Sequence, residues 1–173
     1  MSYRPQIDVS VPSNRAALAI YATLLGGSMS SRLFDEIREQ RGLAYSVQAA
    51  SQVHADVPLL RIGAGLDSTK CVEAYTRMRE IVSELREDGP TTAEVERARA
   101  YAAGRRVLTF ENTGAVARYA ATQTIVFDDP IDPDGSIAAL DAVTLDEVAE
   151  VARDVADTLA VACVGPHSVG DFD

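Results

Sequence analysis

Histidine, cysteine and lysine are nearly missing from this 173-residue chain. The two histidines, His54 and His167, lie far apart, so no His-x-x-x-His or His-x-x-Glu-His pair exists and the ligand set of a hydrolytic zinc is not written here. The two cysteines, Cys71 and Cys163, form no C-x-x-C spacing, which excludes a zinc knuckle or redox motif and leaves both expected as small buried apolar residues. Lys70 is the only lysine beside fifteen arginines, a usage that goes with a GC-rich bacterial genome. Sixteen basic residues against 26 acidic ones leave a net charge of −10, a poor balance for neutralising phosphates, so nucleic-acid binding is excluded. No apolar run approaches the ~20 residues of a membrane span, and Met1-Ser2-Tyr3-Arg4-Pro5 opens no signal-peptide stretch. The expectation is a soluble bacterial cytoplasmic protein.

What the chain does have is enough apolar content, 47%, to bury one core, so residues 1–173 are expected as a single domain with 168–173 a frayed tail. Ile7, Val9 and Val11 alternate with polar residues, the period of a half-buried strand that Pro12 stops. A helix capped by Asn14 should run to Gly26-Gly27, followed by a shorter one capped by Ser30 or Ser31, with Leu33, Phe34 and Ile37 inside and Gly42 at its end. Leu43 to Val53 and the run through Leu60, Ile62, Ala64 and Leu66 predict an antiparallel hairpin turning at His54-Ala55-Asp56. A helix through Val72 and Leu85 stops at Gly89-Pro90, and Thr91-x-x-Glu94 is a capping box opening a helix to about Phe110. Asn112-Thr113-Gly114 break that helix, another stretch runs through Ile125, and a loop is expected over Asp128 to Gly135. Thr144-x-x-Glu147 is a second capping box with Val143 and Val148 as its staple, and Leu159 to Val164 reads as a central strand, apolar on both faces. The order predicts an α+β fold with helices stacked on a sheet.

Several constellations imitate chemistry. Leu25 to Ser31 resembles a phosphate cradle but lacks a Gly-Lys-Ser/Thr ending and follows a helix, so capping is the better reading. Ser28 has no nucleophile-elbow glycines. Asp132, Asp134, Gly135 and Asp141 imitate a calcium loop whose first position would be Pro130, which has no side-chain oxygen, so a capping turn is expected. Asp35, Glu36 and Glu39 read as a solvated helix face. Arg38 and Tyr45 remain: a helix end reversing at Gly42 into a strand can set a guanidinium beside a phenol, two donors suited to a carbonyl or developing oxyanion. Spacing alone favours a snorkelling arginine and a core tyrosine.

The run Leu24-Leu25-Gly26-Gly27-Ser28-Met29-Ser30-Ser31-Arg32-Leu33-Phe34-Asp35-Glu36-Ile37-Arg38-Glu39-Gln40-Arg41-Gly42-Leu43-Ala44-Tyr45-Ser46-Val47 resembles the pitrilysin family of zinc peptidases. Gly65-Leu66-Asp67, Gly89-Pro90-Thr91-Thr92, Val143-Thr144 and Val164-Gly165-Pro166 follow in that family's order. The resemblance is to the inactive, C-terminal half of such enzymes, which implies an α+β two-layer sandwich with helices on one face of a largely antiparallel sheet. It further implies that Arg38 and Tyr45 reach a substrate carbonyl and oxyanion, with Gly26, Gly27 and Ser28 at the position of a substrate-recognition loop. No metal is expected in this chain; zinc is expected in a partner half or homologous subunit, with a peptide as substrate and a homodimer as a further assembly. A structural subunit of the same fold, like the core proteins of the respiratory cytochrome complex, or a self-standing peptide-binding domain are the alternatives.

Overall fold

The computed structural model describes residues 1–54, 56–155 and 159–172. Four antiparallel strands lie in the order β2-β3-β1-β4. They are β1 (Ser2–Tyr3), β2 (Ala44–His54), β3 (Val57–Leu66) and β4 (Leu159–Ala160). The hairpin β2–β3 forms as its period-two pattern requires, with Ala55 of its turn outside the described residues. Val47, Ala49, Leu60 and Ile62 of the hairpin point into the core, while Gln48, Ala50, Gln52 and Arg61 are exposed. One face of the hairpin is therefore covered and the other bare, the antiparallel arrangement of an α+β layer.

Among the described residues six α-helices supply the cover: α1 (Pro12–Ala22), α2 (Cys71–Asp88), α3 (Thr92–Phe110), α4 (Thr113–Thr122), α5 (Pro133–Ala142) and α6 (Leu145–Asp154). Helix α1 is central, packed on β2 and against α3, α5 and α6, with Leu18, Ile20 and Tyr21 wholly buried. Both capping boxes close: Thr91 and Glu94 at α3, and Thr144 and Glu147 at α6, each satisfy the other's backbone N–H. The staple residues Val143 and Val148 are buried. No helix among the described residues is long and apolar enough to cross a membrane.

Five expectations are corrected. Residues 6–11 form no strand, because side chains and a distant helix end take over their backbone groups. The Gln6 N–H donates to Asp154 O at 3.0 Å, Asp8 Oδ1 accepts from Ser10 N, and Arg15 Nη1 donates to Val9 O at 2.7 Å. Asn14 is no cap: it donates to Asp8 O, and α1 starts one residue after Val11 with Pro12 at its first turn. The last strand is two residues long and lies at the end of the sheet order, with Val164 fully exposed. Cys163, in the segment that leaves the sheet there, is exposed, whereas Cys71 is buried. The segment Val169–Phe172, where fraying is expected, makes a 3-10 turn and sets Phe172 edge-on against Tyr75 at 5.4 Å.

Candidate functional site

The stretch that carries Arg38 and Tyr45 is built in four steps. Helix α1 runs on as a π-helical turn, Thr23–Gly27, that lies against β2. Gly26 is what permits this approach, since a Cβ there would meet Ala49 N at 2.5 Å. Gly26 thus has a packing task, while Ser28 and Met29 stay at the surface, Met29 79% exposed. Ser31 is buried, and its hydroxyl donates to Ser28 O at 2.6 Å, closing the loop on itself.

A second π-helical segment, Phe34–Gln40, follows, with Leu33 and Ile37 in the core. Two ion pairs hold it to the helical layer. Just before it, Arg32 donates through Nε and Nη2 to both oxygens of Glu94, at 2.6 and 3.0 Å, at the N-terminus of α3. Burial pushes the Glu94 carboxyl up, but Arg32 and the Thr91 amide and hydroxyl outweigh it and hold the group at about 2. Within the segment, Glu36 pairs with Arg77 of α2, which also binds Glu84 at 2.7 Å and Glu80 at 3.0 Å. Glu36 is therefore half-buried in a salt-bridge network, a correction to the solvated face expected for the acidic cluster.

The segment ends at Gly42, whose φ of +57° is the left-handed conformation glycine adopts without strain. The Gly42 and Leu43 amides donate to the carbonyls of Arg38 and Ile37, and Lys70 Nζ donates to Gly42 O at 2.9 Å. Chain reversal brings Leu43 back to the core and opens β2 one residue later.

Tyr45 is placed by a β-bulge. Ala44 pairs with Leu66 and Ser46 with Gly65, so Tyr45 is the extra residue with no partner across the ladder. Such bulges re-aim a side chain out of the pleat. Tyr45 is 88% exposed and its hydroxyl makes no hydrogen bond among the described residues, so the core-tyrosine reading is overturned. Arg38 is also exposed; its guanidinium lies 4.7 Å from the Phe34 ring centre and 3.7 Å from Glu39. An ion pair this exposed and this long leaves the guanidinium open to another acceptor. The result is two unspent donors, separated by one glycine-terminated reversal, at the rim where the bare hairpin face begins.

The other sequence-level candidates resolve as capping or packing. Asp132 Oδ1 accepts from Gly135 N at 2.8 Å at the start of α5, so the calcium-like cluster is a helix cap. A catalytic zinc of the pitrilysin kind does not fit. Among the described residues the group of metal-capable side chains close enough to share an ion is Cys71, Cys163 and His167, with no carboxylate in it to act as base and no His54. Spacing gave no sign of that cluster, because Cys71 lies far along the chain from Cys163 and His167.

A profile for the peptidase M16 inactive domain matches residues 7–101. An uncharacterized zinc protease of Streptomyces coelicolor is 37% identical over 141 residues, covering 82% of this chain and 31% of that protein. One from Bacillus subtilis is 31% identical over 150 residues, covering 86% and 37%. The chain thus spans about a third of the length of these curated relatives. Among solved structures, the peptidase M16 inactive domain of Pseudomonas fluorescens has the same fold, with a TM-score of 0.73 at 20% identity over 90% of this chain and 38% of that one. A chain of complex III2 from Candida albicans shares the fold as well, with a TM-score of 0.72 at 16% identity over 87% and 38%.

Proposed function

Because the chain belongs to the peptidase M16 inactive-domain family, we propose that it is the substrate-binding, non-zinc half of a zinc endopeptidase, completed by a zinc-binding half or a homologous subunit. The observation that carries this reading is Tyr45: a phenol lifted out of the ladder by a bulge, 88% exposed, beside the reversal that holds Arg38. A phenol presented this way keeps its O–H free to donate to an acceptor on a bound peptide. Hydrolysis itself belongs to the other half. The Tyr45 hydroxyl donates to the scissile carbonyl oxygen, a hydrogen bond that strengthens as negative charge grows there. Arg38 donates to a substrate backbone carbonyl and fixes the register of the peptide. The surface of Ser28 and Met29 is a second place for the peptide to touch, Gly26 and Gly27 serving to shape that loop.

The test is steady-state peptide cleavage by a complete enzyme containing both halves, with thermal unfolding measured alongside. Tyr45→Phe is expected to lower kcat by about 10²-fold, the scale of one oxyanion donor, with no change in Tm. Arg38→Ala should raise KM as well, while Arg41→Ala, the same charge one turn on, should leave kcat/KM nearly intact. Wild-type cleavage by Tyr45→Phe would refute the dyad and assign the chain a non-catalytic structural role.

A further inference from the structure

The chain holds two cysteines and two histidines, and three of these four side chains meet at one point. Cys71 opens α2, and Cys163 and His167 lie on the segment that follows β4. The Sγ atoms of the two cysteines are 3.7 Å apart and unbonded, and the ligand atoms of all three residues lie within 4.8 Å of one another. We propose that Cys71, Cys163 and His167 form a binding site for a single Zn(II) ion, distinct from any catalytic zinc, that fastens the C-terminal segment to α2.

Geometry carries the argument. Two thiolates at about 2.3 Å from a tetrahedral zinc stand about 3.8 Å apart, so the observed sulfur separation already has the edge length of such a site. The imidazole must close in by roughly an ångström to reach its bonding distance of about 2.0 Å. Its surroundings are arranged to present it. Phe172 stacks edge-on to His167 at 5.4 Å and to Tyr75 of α2 at the same distance. Asp171, whose carboxylate accepts from Ser168 N at 2.8 Å, places Oδ2 4.0 Å from His167 Nδ1. At 4.0 Å the two are not hydrogen-bonded, and the carboxylate would take the usual orienting place behind a ligating imidazole only on closing in by about 1 Å. The cluster lines a cavity of about 330 Å³ that leaves room for a fourth ligand, a water molecule.

Binding balances as Zn(II) plus two thiols and a neutral imidazole giving one Zn(S)₂N centre and two released protons. Without metal, burial first and the adjacent Cys163 sulfur second push the Cys71 thiol up to about 11, so Cys71 must give up its proton when the metal binds. Soft sulfur with one imidazole selects zinc over magnesium or calcium.

The experiment is a titration of the reduced 173-residue chain with Co(II), read by absorbance, followed by displacement with Zn(II). The expected result is a sulfur-to-cobalt charge-transfer band that saturates at one equivalent and disappears on adding zinc, with a zinc-dependent rise in Tm. Cys163→Ser, at an exposed position that leaves the fold intact, should abolish the band and the rise. His167→Ala should keep a weaker band with affinity lowered at least about tenfold, and Asp171→Asn should weaken it less. A reduced chain that shows no band would overturn the site, as would a band that survives in Cys163→Ser. A chain isolated two hydrogens lighter that binds no metal after reduction would make the two cysteines a redox pair instead.

Discussion

Replacing Glu94 by glutamine removes one charge from the pair that fastens the Arg38-bearing segment to α3, and the structure sets the size of the effect. The Glu94 carboxyl is held at about 2 in the fold against an ordinary 4.5, which corresponds to roughly 3 kcal/mol. The side chains of Arg32 and Glu94 are 20% and 16% exposed, so some of that is lost to solvent and about 2 kcal/mol should remain. At about 2–4 °C per kcal/mol for a domain of this size, Tm should fall by roughly 4–8 °C at neutral pH. The sign in acid follows from the depressed value: the contribution is complete above about 4.5 and is lost as pH falls toward 2. Wild type and Glu94→Gln should therefore differ most at neutral pH and converge on acidification. Urea unfolding from neutral pH down to about 3 measures both. Thr91→Ala is a partial control: it removes the hydroxyl that accepts from the Glu94 amide and donates to Glu94 Oε2, costs about 1 kcal/mol and leaves the Arg32 pair in place, so its gap from wild type should shrink less in acid. A variant within about 0.5 kcal/mol of wild type at neutral pH, or a gap that does not shrink in acid, would refute the reasoning.

Gly26→Ala should destabilise by about 1–3 kcal/mol in thermal melts, because its Cβ meets the Ala49 backbone, while Gly27→Ala, whose nearest contact is an ordinary 3.4 Å, should cost far less. Tyr21→Phe should be neutral or stabilising by about 1 kcal/mol, since the Tyr21 hydroxyl is fully buried with no hydrogen-bond partner among the described residues, and a loss above about 1 kcal/mol would show that the hydroxyl is satisfied.

Local signals survived folding wherever a few neighbouring residues settle the outcome. Both capping boxes, the glycine stops at Gly42 and Gly89 and the Asp132 cap depend on contacts within a handful of positions, and the β2–β3 hairpin joins two consecutive segments; each is found as its residues indicate. Residues 6–11 were misleading because alternation reports a wish for burial on one side, not a partner strand; Val9 obtains burial from a loop pinned by Asp8 and Arg15. The run Leu159 to Val164 misled for the same reason.

What the sequence by itself determined is the α+β class and the seven-residue step from Arg38 to Tyr45 across one glycine reversal, because periodicity, caps and turn chemistry are local, while the family was legible only through the resemblance of the run from Leu24 to Val47. Tertiary structure alone decided which side chains are spent and which are free. Glu36 is drawn into the Arg77 network by a helix that starts far along the chain, whereas Tyr45 is expelled by a one-residue mismatch with β3. Cys71 and Cys163, unrelated in spacing, meet at 3.7 Å because the chain leaves the sheet after Ala160 and folds back on α2. Register, exposure and convergence are properties of pairs of distant segments, and no window of neighbouring residues contains them.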